Sequence, residues 1–324
     1  MTLLPEIYSE WWANYVVDSG VLVLALALDQ LLPEPPTRLH PVVWMGRMIG
    51  GLERLSPRRP ATAMAFGALG TAFVVGVWGA LAWLAILGLA ELGAVAYLLG
   101  GAVLLRTSFA VRGLIAAGES TRRALESDDI EEARTRLRSL VSRDRAGLSG
   151  PLVAASAIES VAENTTDSYI APWLAFAMLG VPLAVAYRAT NTLDSMWGKR
   201  GRYEYLGKSA ARFDDLVNLV PARLSAGLML LSGALIGLPV RQGWRVMLRD
   251  RRTTESPNAG WTMSLMAGLL GRRLEKPDHY DLGAEFTRPE AEDIARGNRV
   301  AQVTAALGVV AALGILALRH WIAA

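Results

Sequence analysis

The chain of 324 residues contains no cysteine and only three histidines, His40, His279 and His320. The lack of cysteine excludes disulfides, thiolate nucleophiles and cysteine-ligated metals. Three histidines are too few to favour a zinc site built from several of them. Neither Gly-x-x-x-x-Gly-Lys-Ser/Thr nor Gly-x-Gly-x-x-Gly occurs, so the sequence predicts no familiar nucleotide-binding loop. No cleavable signal peptide is expected, because the N-terminus carries Glu6 and Glu10 and lacks a basic segment.

Charged residues are also scarce, at 19% of the chain compared with about 25% in ordinary soluble domains. They are absent from residues 61–90, a run longer than the ~20 residues that cross a bilayer core, and from residues 301–318. Because backbone groups in hydrocarbon must be satisfied within the segment, we expect these runs to be helices. The sequence therefore predicts an all-α, polytopic helical integral membrane protein. We expect a single membrane-embedded domain over residues 1–324, with roughly five embedded helices.

The net charge of +3 and the pI of about 9.3 are mildly basic. In a membrane protein this excess is typical of cytoplasmic anchoring, so we expect contact with membrane lipid and no nucleic-acid partner. Arginines place residues 29–60 on the cytoplasmic side, and the prolines there argue against a continuous helix. The preceding apolar segment, residues 16–28, is short for a straight span. These features predict a multi-pass protein of the cell membrane with an active site that faces the cytoplasm.

Two helical hairpins are predicted next along the chain. Residues 61–90 are followed by a tight turn around Gly93, and residues 92–105 return across the membrane. Residues 107–148 are instead rich in Ala, Leu, Arg and Glu, and residues 127–129 (Ser-Asp-Asp) suit the start of a capped helix. This second segment predicts a cytoplasmic helical hairpin rather than a span.

The second half contains interrupted apolar segments. Residues 170–186 include Gly180 and Pro182, and residues 224–238 are short, with arginines on both sides. Interrupted helices at membrane depth are tolerated where they are buried in protein or line a cavity. We therefore predict a broken or re-entrant helix between Gly180 and Pro182. The final span is expected near residues 301–318.

The sharpest polar pattern lies between Glu159 and Asp167. Spacings of four place Glu159, Glu163 and Asp167 on one helix face, where like charges need a neutralising partner such as a divalent cation or an ammonium group. Carboxylate and amide oxygens suit magnesium. We therefore predict these three carboxylates as Mg²⁺ ligands and, together with Asn164, as catalytic residues. The alternative is a solvated acidic face, which the neighbouring Ala, Val and Ile residues disfavour.

Two further polar groups follow. Asn191 lies three residues before Asp194, and Asp214 lies four before Asn218, so each pair shares a face if it is helical. Ionisable residues beside membrane helices are costly and usually functional, which predicts catalytic roles for Asp194 and Asp214. For either group alone, a structural ion pair is an equally open interpretation.

Several polar or basic side chains are suited to holding a substrate or its phosphate, because arginine in particular offers a fork that matches phosphate oxygens. The predicted substrate- or phosphate-binding residues are His40, Arg143, Asn191, Lys199, Arg223 and Asn258. For the basic residues, cytoplasmic anchoring is the alternative. Asn258 lies in a turn before an apolar helix, whose N-terminus can bind an anion or simply be capped. A lone histidine such as His40 is usually structural.

Taken in chain order, these motifs resemble the adenosylcobinamide-phosphate synthase family, the cobalamin biosynthesis proteins of CobD/CbiB type. The resemblance covers residues 29–271 and is specific because several motifs occur in order; the first and last segments match only in hydrophobic character. The matching residues are Asp29, His40-Pro41, Met45-Gly46, Glu159-Ser160, Ala162-Glu163-Asn164 with Asp167, residues 191–196, Gly207, residues 211–221 and residues 256–260.

The resemblance implies an enzyme that uses ATP to join a corrinoid carboxylate, that of adenosylcobyric acid, to the amine of aminopropanol phosphate. The product is adenosylcobinamide phosphate. Magnesium would be held by carboxylates and phosphate by arginines. The sequence does not place the ATP site, and it leaves a homo-oligomer open. The competing interpretation is a membrane transporter of a corrinoid or anionic substrate, which a broken helix with polar groups near the midplane would suit.

Overall fold

The computed structural model describes residues 5, 7–38, 40–141, 145, 147–198 and 203–324. Helices dominate this part of the chain, which confirms the predicted all-α class. A π-helical segment, Thr166–Ile170, joins α7 to α8, and two short antiparallel strands form a hairpin. The elements are α1 (Trp11–Leu31), α2 (Pro41–Arg54), α3 (Pro60–Glu91), α4 (Ala94–Arg106), α5 (Val111–Glu126), α6 (Ile130–Leu137), α7 (Gly150–Thr165), α8 (Ala171–Trp197), α9 (Lys208–Val217), α10 (Leu219–Leu235), α11 (Val240–Asp250), α12 (Ala259–Leu270), β1 (Leu274–Lys276), β2 (Tyr280–Leu282) and α13 (Ala291–Ala323).

Among the described residues, five helical segments are long and apolar enough to cross a membrane. A sixth results if α9 and α10 form one span. The polytopic membrane architecture and the predicted number of roughly five helices are therefore confirmed. The five segments are Trp11–Leu31, Pro60–Glu91, Ala94–Glu126, Gly150–Trp197 and Ala291–Ala323.

Two predictions for the N-terminal region need correction. The first helix extends over 21 residues instead of only 16–28, and so is long enough for a straight crossing. Residues 29–60, where the prolines predict mainly loop, contain a 14-residue helix, α2, which begins at Pro41. Proline is tolerated in the first helical turn because its missing N–H has no intrahelical partner there. Nδ1 of His40 accepts a hydrogen bond from the Val42 N–H at 3.2 Å, so His40 caps this helix.

The chain forms two compact units. The first unit comprises Met1–Ala110, Ala171–Val217 and Val310–Ala324. The second unit comprises Val111–Ile170 and Asn218–Val309. Neither unit is a continuous stretch of sequence, since the chain passes from one to the other four times.

In the first unit, α3 packs along α8 and α1 packs along α4. The ring of Phe109 meets that of the fully buried Trp173 edge to face, with 5.5 Å between the ring centroids. Such a pair adds about 0.5–1.5 kcal/mol to the gain from burying both rings. Aromatic packing therefore fixes the start of α8 in this unit.

Helix α8 is broken at Leu179 and Gly180, which confirms the predicted interruption, whereas a re-entrant path stays a prediction. Gly180 has a φ of +67°, a left-handed conformation that favours glycine. A break releases carbonyl groups that a regular helix would satisfy. Nη1 of Arg319, on α13, donates to the carbonyl oxygens of Phe176 and Ala177, each at 3.3 Å. The arginine thus stabilises the broken end.

Arg319 also joins a buried ionic cluster around Asp18 of α1. The Asp18 carboxylate accepts hydrogen bonds from Arg319 and, at 2.8 Å, from Oη of Tyr97, and it lies 2.9 Å from Nε2 of His320. A carboxylate inside a candidate span is costly unless it is paired, and Asp18 is 6% exposed. The cluster joins the first, third and last of the candidate spans.

The second unit is built around α7, whose neighbours are α5, α6, α12 and β1. Ile158 of α7 belongs to the same apolar cluster as Leu265 and Leu269 of α12. The hairpin strands close over it, with Leu274 paired to Leu282. The predicted cap of α6 is confirmed, because Oδ1 of Asp129 accepts the Glu132 N–H at 2.9 Å. The cytoplasmic position of α5 and α6 stays a prediction.

Candidate functional site

A small polar cavity of about 200 Å³ lies in the second unit, and we call it the acidic cavity. Its two carboxylates, Glu159 and Glu163, come from successive turns of α7. Lys276 reaches it from β1 and Tyr280 from β2. Its lining consists of Leu140, Val141, Ser156, Glu159, Ser160, Glu163, Lys276 and Tyr280.

The two carboxylates of the acidic cavity differ in their surroundings. Glu159 is only 4% exposed and its Oε2 accepts a hydrogen bond from Oη of Tyr280 at 3.1 Å, whereas Glu163 is exposed. The ammonium nitrogen of Lys276 lies 5.9 Å from the centroid of the Tyr280 ring. The cavity thus combines a buried, hydrogen-bonded carboxylate, an exposed carboxylate and a cation. Such a mixture can bind a ligand that carries both an ammonium group and an anionic group.

Asn164, predicted to be catalytic, connects the cavity wall to the segment that follows it. Its Nδ2 donates to the Ser160 carbonyl at 2.9 Å, and its Oδ1 accepts from the Ser168 hydroxyl at 3.3 Å. The Ser160 hydroxyl in turn donates to the Leu140 carbonyl at 2.7 Å. These bonds give Asn164 a part in holding the wall of the cavity.

Asp167 lies beyond the regular part of α7, on the π-helical segment, and does not line the acidic cavity. The expectation of regular α-helical spacing is therefore wrong from Thr166 onward. The wider turn accompanies a tertiary contact, because Oη of the buried Tyr169 donates to the Ala301 carbonyl at 2.9 Å. Glu159 and Glu163 share one cavity as predicted, whereas Asp167 lies outside its lining.

Within the described residues, no three histidine or carboxylate side chains come close enough to hold a metal ion. Glu159, Glu163 and Asp167 therefore do not form a three-carboxylate Mg²⁺ site in this structure. Mg²⁺ commonly uses only one or two carboxylates together with substrate phosphates and water. A contribution of Glu159 or Glu163 to such an ion stays a prediction.

Four of the other predicted residues, His40, Asn191, Asp194 and Asp214, belong to the first unit. Nε2 of His40 lies 3.4 Å from Glu34, and this interaction lowers the pKa of the Glu34 carboxyl below its ordinary value. Oδ1 of Asn191 accepts a hydrogen bond from Arg188 at 3.1 Å. Asp194 is half-buried near the end of α8, and Asp214 is buried on α9. The predicted residues are thus divided between the units; Arg143 and Lys199 lie outside the described residues.

Arg223 lines a second cavity of the second unit, of about 390 Å³, which we call the arginine–tryptophan pocket. Nη1 of Arg223 donates to Oδ1 of Asn258 at 2.9 Å. The guanidinium carbons of Arg223 and Arg251 each lie 4.7 Å from the ring centroid of Trp261. The sequence prediction did not include Arg251 or Trp261. The lining consists of Arg223, Arg251, Arg252, Thr254, Glu255, Pro257 and Trp261.

Comparison with known proteins identifies the family. A family model described as CobD/Cbib protein matches residues 22–310. The cobalamin biosynthesis protein CobD of Dehalococcoides mccartyi (strain CBDB1) is 41% identical over 82% of this chain and 87% of its own length. The CobD protein of Geobacter metallireducens is 42% identical over 86% and 88% of the two chains.

The cobalamin biosynthesis protein CbiB of Salmonella typhi is 36% identical over 93% of this chain and 95% of its own. No solved structure matches the chain. The family model covers far more than half of the sequence, and the relatives are similar over nearly their whole lengths. The chain therefore belongs to the CobD/CbiB family of cobalamin biosynthesis proteins.

Proposed function

We propose that the protein is an adenosylcobinamide-phosphate synthase, a carbon–nitrogen ligase that joins adenosylcobyric acid to aminopropanol phosphate at the expense of ATP. Family membership supports a role in cobalamin biosynthesis. The observation that carries the proposal is the acidic cavity, where Glu159 and Glu163 lie together with Lys276 and Tyr280. This set of side chains suits a small amine that also bears an anionic group.

The reaction requires an activated acid, because a carboxylate and an ammonium ion form only a salt at neutral pH. In the proposed sequence, an oxygen of the corrinoid carboxylate attacks the γ-phosphorus of ATP, and ADP leaves. The amine nitrogen then attacks the carbonyl carbon of the resulting acyl phosphate. The C–N bond forms, the C–O bond to phosphate breaks, and the nitrogen releases a proton. One ATP gives one ADP, one phosphate and one amide.

The two carboxylates of α7 then have different roles. Glu159, buried and held by Tyr280, provides fixed negative charge for the incoming ammonium group. Glu163 is exposed and so can exchange a proton with solvent. The ammonium group first loses one proton to solvent, which frees the nitrogen lone pair for attack. As the C–N bond forms, the nitrogen becomes more acidic and gives a second proton to Glu163, a general-base contribution of about 10²–10⁴ in rate. Asn164 positions the turn that carries Glu163.

ATP is the proposed co-substrate, and Mg²⁺ is proposed to arrive with its phosphates. Asn191, Asp194 and Asp214 lie in the first unit. Their predicted roles in substrate binding and catalysis remain part of the proposal and are tested by the assay described next. We also propose that the protein resides in the cell membrane with its active site facing the cytoplasm, where ATP is available.

The test uses the purified full chain in lipid nanodiscs with adenosylcobyric acid, aminopropanol phosphate, ATP and magnesium. We expect adenosylcobinamide phosphate and ADP to form in equal amounts, and neither product should form without the amine. An absence of amide from wild-type protein that is folded and monodisperse would contradict the proposal.

A second arm of the experiment tests the alternative that the protein is a transporter, with which the break in α8 is compatible. The same protein in sealed liposomes is supplied with labelled adenosylcobyric acid on one side. Accumulation of the label without amide formation would favour a transporter. Amide formation without net movement of the corrinoid supports the ligase.

A further inference from the structure

The arginine–tryptophan pocket carries more positive charge than its surroundings neutralise. Three arginines line it, Arg223, Arg251 and Arg252, against one carboxylate, Glu255, which also lies 3.5 Å from Nδ1 of His279. In the part of the chain that the structure describes, none of the three arginines forms an ion pair with a carboxylate. Like charges at close range repel, so this arrangement favours a bound anion.

One of the lining arginines, Arg251, also has an unsatisfied donor. Nη1 of Arg251 is buried and has no hydrogen-bond partner among the described residues. Stacking on Trp261 offsets part of the cost, by about 0.5–2 kcal/mol for a cation over an indole ring. It does not supply an acceptor, and an unmade bond of a buried charged group costs about 1–3 kcal/mol or more. An anion in the cavity would supply acceptors to Arg251 and Arg223 together.

Internal contacts hold the side chains of the pocket in place. Nη1 of Arg223 is held by the Leu219 carbonyl at 2.8 Å as well as by Asn258. The Arg251 carbonyl packs against Gly260, where an added Cβ would lie only 2.3 Å from that oxygen. Glycine at position 260 thus allows α12 to start directly against the loop that carries Arg251. Pre-arranged donors bind an anion without the entropic cost of ordering them.

We propose that the arginine–tryptophan pocket binds the phosphate group of a phosphate-bearing substrate, with Arg223 and Arg251 as the principal donors. Guanidinium forks match phosphate oxygens in geometry and charge. The volume of about 390 Å³ lies near the lower end of the ~300–1,000 Å³ range for small-molecule sites. The inference rests on the proposed function for its two candidate ligands, aminopropanol phosphate and the phosphate tail of ATP.

The experiment measures binding by calorimetry to the full chain in nanodiscs, with aminopropanol phosphate, ATP and inorganic phosphate as separate probes. We expect Arg251→Gln to raise the Kd of the ligand that occupies the pocket roughly 10- to 100-fold, the loss of one charge-assisted hydrogen bond. Arg251→Lys, which retains the charge without the fork, should fall between this variant and wild type. Arg245→Gln is the matched control, since Arg245 is an exposed arginine of α11 outside the pocket.

The probes identify the source of the phosphate, because the ligand whose Kd rises in Arg251→Gln is the one that the pocket holds. Unchanged Kd values for all probes in both Arg251 variants would overturn the proposal, as would wild-type protein that binds none of them. If phosphate binding depends on Arg251 but the protein forms no amide, the proposal of a phosphate-binding pocket stands and the proposed ligase activity is refuted. If Arg251→Gln forms the amide with an unchanged KM for both phosphate-bearing substrates, the ligase activity stands and the phosphate-binding role of the pocket is refuted.

Discussion

Tyr280 donates a 3.1 Å hydrogen bond to the buried carboxylate of Glu159, although the two residues are 121 positions apart in sequence. The contact joins the β1–β2 hairpin to α7 and forms one wall of the acidic cavity. The short hairpin therefore forms part of the candidate site as well as covering the apolar cluster beneath it.

Replacement of that hydroxyl tests the role of the hairpin. Tyr280→Phe removes a donor from a buried carboxylate, which costs about 1–3 kcal/mol. We expect a higher KM for aminopropanol phosphate, because the position of Glu159 is less well defined, and a lower apparent melting temperature. Tyr205→Phe is the control, since Tyr205 is 47% exposed and lies outside the cavity. Identical kinetics in the two variants would separate Tyr280 from the site.

Glu163→Gln is expected to remove most amide-forming activity while the protein stays folded in the membrane. The substitution retains size and hydrogen-bonding capacity but removes the proton acceptor, so kcat should fall about 10²–10⁴-fold. Glu131→Gln is the matched control, because Glu131 is an exposed partner of Arg134 on α6 and such surface pairs contribute at most ~1 kcal/mol. Wild-type turnover of Glu163→Gln would exclude Glu163 from the reaction.

Magnesium titration distinguishes a nucleotide-borne ion from one held by the protein. We expect the activity to saturate when Mg²⁺ matches the ATP concentration, with the same magnesium dependence in wild type, Glu159→Gln and Asp167→Asn. The reason is that the described residues provide no three-carboxylate site. Rescue of either variant by excess magnesium would instead identify its carboxylate as a metal ligand.

A pH-dependent contribution to stability is expected at Asp250. Burial raises the pKa of its carboxyl group, but hydrogen bonds from Arg249 and from the Gly283 N–H outweigh burial and hold the pKa below its ordinary value of 3.8. Because the folded-state pKa is the lower one, Asp250 stabilises the protein above pH ~4, and the contribution is lost as the pH falls through the folded-state value.

Asp250→Asn should therefore lower the apparent melting temperature at pH 7, and the difference from wild type should shrink as the pH falls below ~4. Thermal unfolding in detergent across this range measures it. Asp278→Asn, at an exposed turn position with a φ of +63° that asparagine also tolerates, should have little effect at any pH. A constant difference for Asp250→Asn at all pH values would contradict the assignment.

The absence of native cysteine makes the topology directly measurable, because a single introduced thiol is the only one in the chain. Leu92→Cys lies at the exposed turn between α3 and α4, and Ser127→Cys lies just after α5. We expect an impermeant maleimide to label position 92 in intact cells, and position 127 only after the membrane is opened. Labelling of both positions in intact cells would refute the cytoplasmic position of residues 107–148.

The sequence predicted features that depend on composition or on local chemistry. Charge-free runs indicated the spans, Asp129 indicated the start of α6, and Gly180 with Pro182 indicated the break in α8. Proline misled at position 41, because proline disrupts the interior of a helix and is compatible with its first turn. A proline therefore predicts either the interruption of a helix or its first turn, and the two cases can be distinguished only when the position of the helix start is known.

Parts of the candidate site could not be predicted because they depend on long-range contacts. The π-helical segment accompanies the bond from Tyr169 to the Ala301 carbonyl, which joins residues 132 positions apart. Lys276 and Tyr280 enter the acidic cavity through a hairpin, and nothing in their local sequence indicates that they reach α7. The sequence predicted Arg223 as a phosphate-binding residue because it is an arginine. Trp261 could be connected with the pocket only from the structure, where Arg223 and Arg251 stack on its ring.

The ionic cluster around Asp18 has a consequence for biosynthesis of the protein in the membrane. Tyr97 is made 79 residues after Asp18, but Arg319 follows it by 301 residues. At translation rates of about 5–20 residues per second, the carboxylate waits roughly 15 to 60 s for its guanidinium partner. Through that interval α1 contains a carboxylate without its arginine. The broken end of α8, once it has been made, lacks the same side chain for the shorter time needed to add about 142 further residues. Arg319 on the last helix thus provides the missing partner for Asp18 of α1 and for the carbonyl groups at the break in α8. A ribosome that stalls before residue 319 therefore leaves a membrane intermediate with unpaired polar groups, which suits recognition by quality-control proteases.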